Sequence, residues 1–132
     1  LVTGVQTCAL PIWMVTMTPS FSPDGKKVIY SASNASSDAQ KWLKEPHNIY
    51  TVDVNTKKVE KITKGNNFDL APVYISGGKG IVFGRKTSEG TISLFTVKGN
   101  EEQCIAKDIK LSEESDYYGH EKLEESLAIF TE

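Results

Sequence analysis

The chain has 132 residues, 39% of them apolar and 24% charged, with a net charge of −2. Lysines and acidic residues are interspersed, which leaves no basic footprint for nucleic acid. No apolar run approaches the ~18 residues of a membrane-spanning helix.

The first dozen residues stand apart from the rest. The chain opens on Leu1, so the reading frame is expected to start upstream. Val2-Thr3-Gly4-Val5-Gln6-Thr7-Cys8-Ala9-Leu10-Pro11-Ile12 looks like the translation of a widely used short-read sequencing adapter. No basic segment precedes Ala9-Leu10-Pro11-Ile12, as a signal peptide requires. Residues 1–12 are therefore expected to be non-native, with the fold carried by 13–132. Cys8 falls in the adapter-like stretch, which leaves Cys104 as a lone thiol and predicts no intrachain disulfide.

Residues 13–132 contain an internal repeat. Pro19-Ser20-Phe21-Ser22-Pro23-Asp24-Gly25-Lys26-Lys27-Val28-Ile29-Tyr30 lines up with Pro72-Val73-Tyr74-Ile75-Ser76-Gly77-Gly78-Lys79-Gly80-Ile81-Val82-Phe83 at an offset of 53 positions. Asn48-Ile49-Tyr50-Thr51-Val52 then lines up with Ser93-Leu94-Phe95-Thr96-Val97 at an offset of 45. A unit of roughly 45–50 residues, built of short strands and tight turns, has the period of a β-propeller blade.

In chain order, strands are expected at 17–22 and 27–32 around the turn Ser22-Pro23-Asp24-Gly25. Pro23 presets φ, Asp24 suits the next position and Gly25 supplies the left-handed residue. Strands at 48–54 and 58–63 complete the first unit. The second repeats the order at 71–75, 80–85, 91–97 and 103–107, with Ser76-Gly77-Gly78 as its first turn. Residues 115–132 read as half of a third unit, with strands at 116–119 and 126–131. Val28-Ile29-Tyr30, Ile81-Val82-Phe83 and Leu94-Phe95 place apolar side chains on both strand faces, so both faces must be covered.

The units differ most at 33–47, where the first carries a long insert. Ser37 with Gln40 fits a capping box, and Pro46 would stop a helix of about two turns. Trp42 has two readings, packing this turn onto the sheet or presenting an exposed ring to a partner. The fold class is thus all-β: a β-propeller fragment of about two four-stranded antiparallel blades, 17–64 and 70–108, plus a partial third, 115–132. Closing such a ring takes about 4–8 blades, so a fragment is expected, with the remaining blades as neighbours.

The first unit, followed by Asn48-Ile49-Tyr50-Thr51-Val52-Asp53 and Lys61-Ile62-Thr63, resembles the TolB-type propeller repeat. The resemblance is close in the first unit and degraded in the second, and spans about 18–107. It implies six or seven blades in the whole protein and a bacterial periplasmic or extracellular setting. In some members of that family the ring serves protein–protein contact; in others it gates a serine peptidase domain.

Chemistry is sparse. His47 and His120 are the two histidines, and neither has a second His or Cys at ligand spacing, so no metal or cofactor site is expected. No Gly-x-Ser-x-Gly elbow occurs, so no catalytic residue is assigned. Asp24 reads as a turn residue. The candidate contacts for a protein or peptide partner are Trp42, His47, Tyr117, Tyr118 and His120. The expected function is a noncatalytic propeller scaffold; the alternative is the propeller portion of a prolyl-oligopeptidase-like peptidase whose hydrolase domain lies elsewhere.

Overall fold

The computed structural model describes residues 15–33, 45–110, 116–117 and 120–121. Its architecture is all-β, with two four-stranded antiparallel sheets. The first runs β1 (Val15–Phe21), β2 (Lys27–Ser33), β3 (Asn48–Asp53) and β4 (Val59–Lys61), in that spatial order. The second runs β5 (Phe68–Ile75), β6 (Gly80–Lys86), β7 (Ile92–Lys98) and β8 (Glu101–Ile109), again in chain order. Within each sheet, strands pair with their sequence neighbours, as hairpin connections enforce, with the 34–47 insert between β2 and β3 as the long exception.

The offset of 53 is visible in the backbone. Phe21 pairs with Val28 and Tyr74 with Ile81, in matching registers. Both first strands carry a register shift at the same place, between Met17 and Ser20 and between Leu70 and Val73. Thr18 and Ala71, each preceding a proline, sit there at φ 50°. Such left-handed non-glycine backbone is costly and marks a β-bulge that bends the strand. The two bulges also touch, because the Ala71 N–H donates to Thr18 Oγ1 at 3.0 Å.

The sheets pack face to face. Ile29 and Ile49 of the first meet Ile81 and Phe83 of the second, with Tyr74, Phe95 and Val97 around them. Ser31 Oγ donates to the Asp69 carbonyl across the same interface. On the opposite face of the first sheet, Val28, Tyr30, Ala32 and Val52 form a separate buried cluster. Both faces of β2 are therefore buried, as its unbroken apolar run requires.

The Ser22-Pro23-Asp24-Gly25 turn forms as expected. Ser22 N–H donates to Lys27 O at 2.8 Å, and Gly25 N–H to Ser22 O at 2.9 Å. Gly25 adopts φ 70° with nothing within 4 Å of where a Cβ would stand, so the cost of any side chain there is conformational. Gly25→Val is expected to lose about 1–3 kcal/mol in denaturant unfolding, whereas Asp24→Asn, which keeps the turn acceptor, should stay near wild type.

The second unit's turn differs in detail. Ser76–Gly78 is a short 3-10 turn in which Ser76, Gly77 and Gly78 all have positive φ. Past β8, β9 (Asp116–Tyr117) pairs antiparallel with β10 (His120–Glu121), within the stretch where a strand at 116–119 was expected. The strand expected at 126–131 and the helical turn at 37–45 lie wholly or largely outside the described residues.

Candidate functional site

A groove of about 610 Å³ opens between the hairpin ends of the two sheets. Its first wall comes from the 22–25 turn, with Lys27, Thr51, Asp53 and Glu60; the second comes from Tyr74 and the Gly77–Ile81 stretch. Its volume falls in the range of ligand sites.

Internal hydrogen bonds hold the charged rim in place. Asp24 Oδ1 accepts from Ser22 Oγ at 2.7 Å and from Lys26 N–H at 3.0 Å. The Ser22 hydroxyl, followed by the Lys26 amide, holds the Asp24 carboxyl below its usual pKa. Asp53 Oδ1 accepts from the amides of Thr56 at 2.8 Å and Asn55 at 2.9 Å, which lower its pKa in the same way. Glu60 pairs with Lys58 at 3.1 Å and with Lys27 at 3.8 Å, so its pKa is lowered as well. All three carboxylates are charged at neutral pH, against Lys26, Lys27 and Lys79 in the same lining. The groove thus has an apolar floor of Ile62, Ile81 and Val97 under a rim of both signs.

Tyr74 stands beside this floor, and its buried hydroxyl has no hydrogen-bond partner among the described residues. Burial, then the nearby Asp24 and Glu60 charges, push its pKa up. An unsatisfied buried hydroxyl costs about 1–3 kcal/mol. Tyr74→Phe is therefore expected to keep or raise the melting temperature; a clear drop would reveal a bond that this geometry does not contain.

Of the residues expected to contact a partner, the side chain of His47 is described. His47 is fully buried. Its Nδ1 donates to Glu45 O at 2.8 Å, and its ring lies 4.1 Å from that of Phe68. Its backbone bridges to Phe68, with Asp69 N–H donating to His47 O at 3.0 Å. The His47 side chain thus has no exposed surface, and its backbone sits in the passage between the two sheets. Tyr117 and His120 face each other in register in the β9–β10 pair. Trp42 and Tyr118 lie outside the described residues. His47 does not line the groove.

One feature escaped the sequence reading altogether. Asp69, fully buried on β5, accepts from Arg85 Nε at 2.7 Å and Nη2 at 3.2 Å. Arg85 also binds Glu102 on β8, at 2.6 and 3.2 Å, and lies 4.3 Å from the centre of the Phe95 ring. Burial raises the pKa of Asp69, and Arg85 opposes that shift. The network ties three strands of one sheet together, and none of its residues lines the groove between the sheets. Among the described residues, no cluster of three or more His, Cys, Asp or Glu side chains could hold a metal ion. No helix of the described residues is long and apolar enough to cross a membrane. No family model matches the chain.

Proposed function

We propose that the two sheets are adjacent blades of a TolB-type β-propeller. The chain then acts as a noncatalytic scaffold that seats a protein or peptide segment in the groove between its hairpin ends. The shared strand order, the bulges at the same repeat position and the face-to-face packing support the propeller reading. A bacterial envelope setting rests on the resemblance of the repeat alone.

The groove carries the functional reading. Apolar floor, charged rim and turn-locked walls together suit an extended segment with an apolar side chain between polar ones. Peptides selected from a random library against the immobilised chain should bind wild type and lose at least about tenfold, roughly 1.4 kcal/mol, on Glu60→Arg. Glu60 is exposed, so the thermal melt should not move. Peptides indifferent to that change, or none above background, would remove the groove from the proposal. A Gly-x-Ser-x-Gly motif in an extended coding sequence would shift the reading to the propeller portion of a peptidase.

A further inference from the structure

We propose that the groove between the hairpin ends selects a cationic side chain, held by the Asp24 and Glu60 carboxylates beside the Tyr74 hydroxyl. The inference rests on the peptide-binding reading of that groove and names the side chain that anchors the segment. The carboxylates and lysines of the groove are held in different ways. Both hydrogen bonds to Asp24, from Ser22 Oγ and the Lys26 amide, land on Oδ1. Both to Asp53, from the Asn55 and Thr56 amides, land on Oδ1 as well. Each loop thus fixes its carboxylate through one oxygen and leaves Oδ2 without a hydrogen-bond partner among the described residues. The Val54 N–H donates to Lys26 O at 2.9 Å, which sets the two loops side by side. Lys26 and Lys79 are exposed on flexible stems and can turn to water. Lys27 stands 3.8 Å from Glu60 with both side chains nearly half exposed, a weak pair that a ligand can displace. The charge that stays in place is therefore negative.

Tyr74 supplies the second observation. Its hydroxyl is buried at the groove and has no hydrogen-bond partner among the described residues. The charges that act on it are those of Asp24 and Glu60, which together with burial keep it protonated. An anion placed there would add a third negative charge to theirs. An N–H donor instead gives the hydroxyl oxygen and both carboxylates a partner, and a guanidinium or ammonium also matches their charge. The aliphatic stem of an arginine or lysine would lie on Ile62, Ile81 and Val97 of the floor, in the way such stems cover apolar surface. One side chain thereby meets the apolar floor, the orphan hydroxyl and the rim charge.

Butylguanidinium and its neutral isostere butylurea are the probes that test it, with butyrate as the anionic control. Backbone NMR titration of the full chain at low salt reads all three at the Gly77, Gly78 and Gly80 amides. Butylguanidinium is expected to bind at least about tenfold more tightly than butylurea, with its largest shifts at the groove. Asp24→Asn together with Glu60→Gln should bring these two probes level. Asparagine keeps the turn acceptor and Glu60 is exposed, so the melt of this double variant should stay near wild type. Tyr74→Phe should weaken butylguanidinium about threefold although its melt stays at or above wild type, a split that a packing role alone does not produce. No shift with butylguanidinium overturns the proposal. So does butylurea or butyrate that binds as tightly, or a preference that survives the double variant. If the double variant fails to fold, the three probes on wild type still decide the matter. The peptide screen fails separately. Peptides that bind without a basic residue keep the peptide reading and overturn this one, whereas butylguanidinium bound where no peptide binds keeps this one alone.

Discussion

Replacing Arg85 with leucine is expected to cost about 3–5 kcal/mol, because it strands the Asp69 carboxylate in the interior. Asp69 has no exposed surface, and both of its oxygens receive hydrogen bonds from Arg85. Glu102, the other carboxylate on Arg85, is 36% exposed and can turn to water. The penalty therefore falls on Asp69. The sign of its pH dependence follows. Burial already raises the folded-state pKa of Asp69, and loss of the guanidinium removes what opposes that rise. A carboxyl with a raised folded pKa destabilises the fold above that pKa, and the loss disappears as pH falls through it. The defect of Arg85→Leu should thus shrink between neutral and mildly acidic pH. Asp69→Asn with Arg85→Leu should recover part of the loss at neutral pH. Urea titrations of wild type, Arg85→Leu and the double variant at two pH values provide the measurement. A single variant that loses less than about 1 kcal/mol at neutral pH, the scale of an exposed pair, would mean that Asp69 is solvated.

The strands and the repeat were legible because both leave local marks. Short apolar runs and turn residues put every strand of the two sheets in place, and the shared Pro-x-aromatic segment placed the offset. The bulges at Thr18 and Ala71 were missed, although each residue precedes the proline that heads its repeat. A bulge depends on the partner strand's register, which a single segment does not record. Asp69 and Arg85 are sixteen positions apart and meet only because β5 and β6 pair in that register. Nothing in their spacing announces it. In the sequence His47 falls at the end of the 33–47 insert, beside the start of a strand. Its bridge to Phe68, a residue 21 positions away, is not recorded in that local segment. The groove was illegible for the same reason, since its two walls come from different sheets.

The interface between the sheets gives the other large effect, expected at Phe83. Its side chain is fully buried among Ile29, Ile49 and Ile81, with its ring centre 5.9 Å from that of Phe95. Phe83→Ala is expected to lose about 3–5 kcal/mol, the transfer term plus the cavity left behind. Against a total stability of about 5–15 kcal/mol, that is a large share. Phe83→Leu keeps most of the volume and should cost less, about 1–2 kcal/mol. The exposed Phe21 is the internal control, and Phe21→Ala should stay within about 0.5 kcal/mol of wild type. The loss at Phe83 should also be coupled across the sheets. Combined with Ile29→Val, it should depart from additivity by at least about 0.5 kcal/mol, because the two side chains share one cluster. Combined with Val52→Ala, on the opposite face of the first sheet, it should add. Additivity with Ile29→Val would mean that the sheets fold as independent units. The face-to-face packing would then contribute little to stability, whatever its geometry.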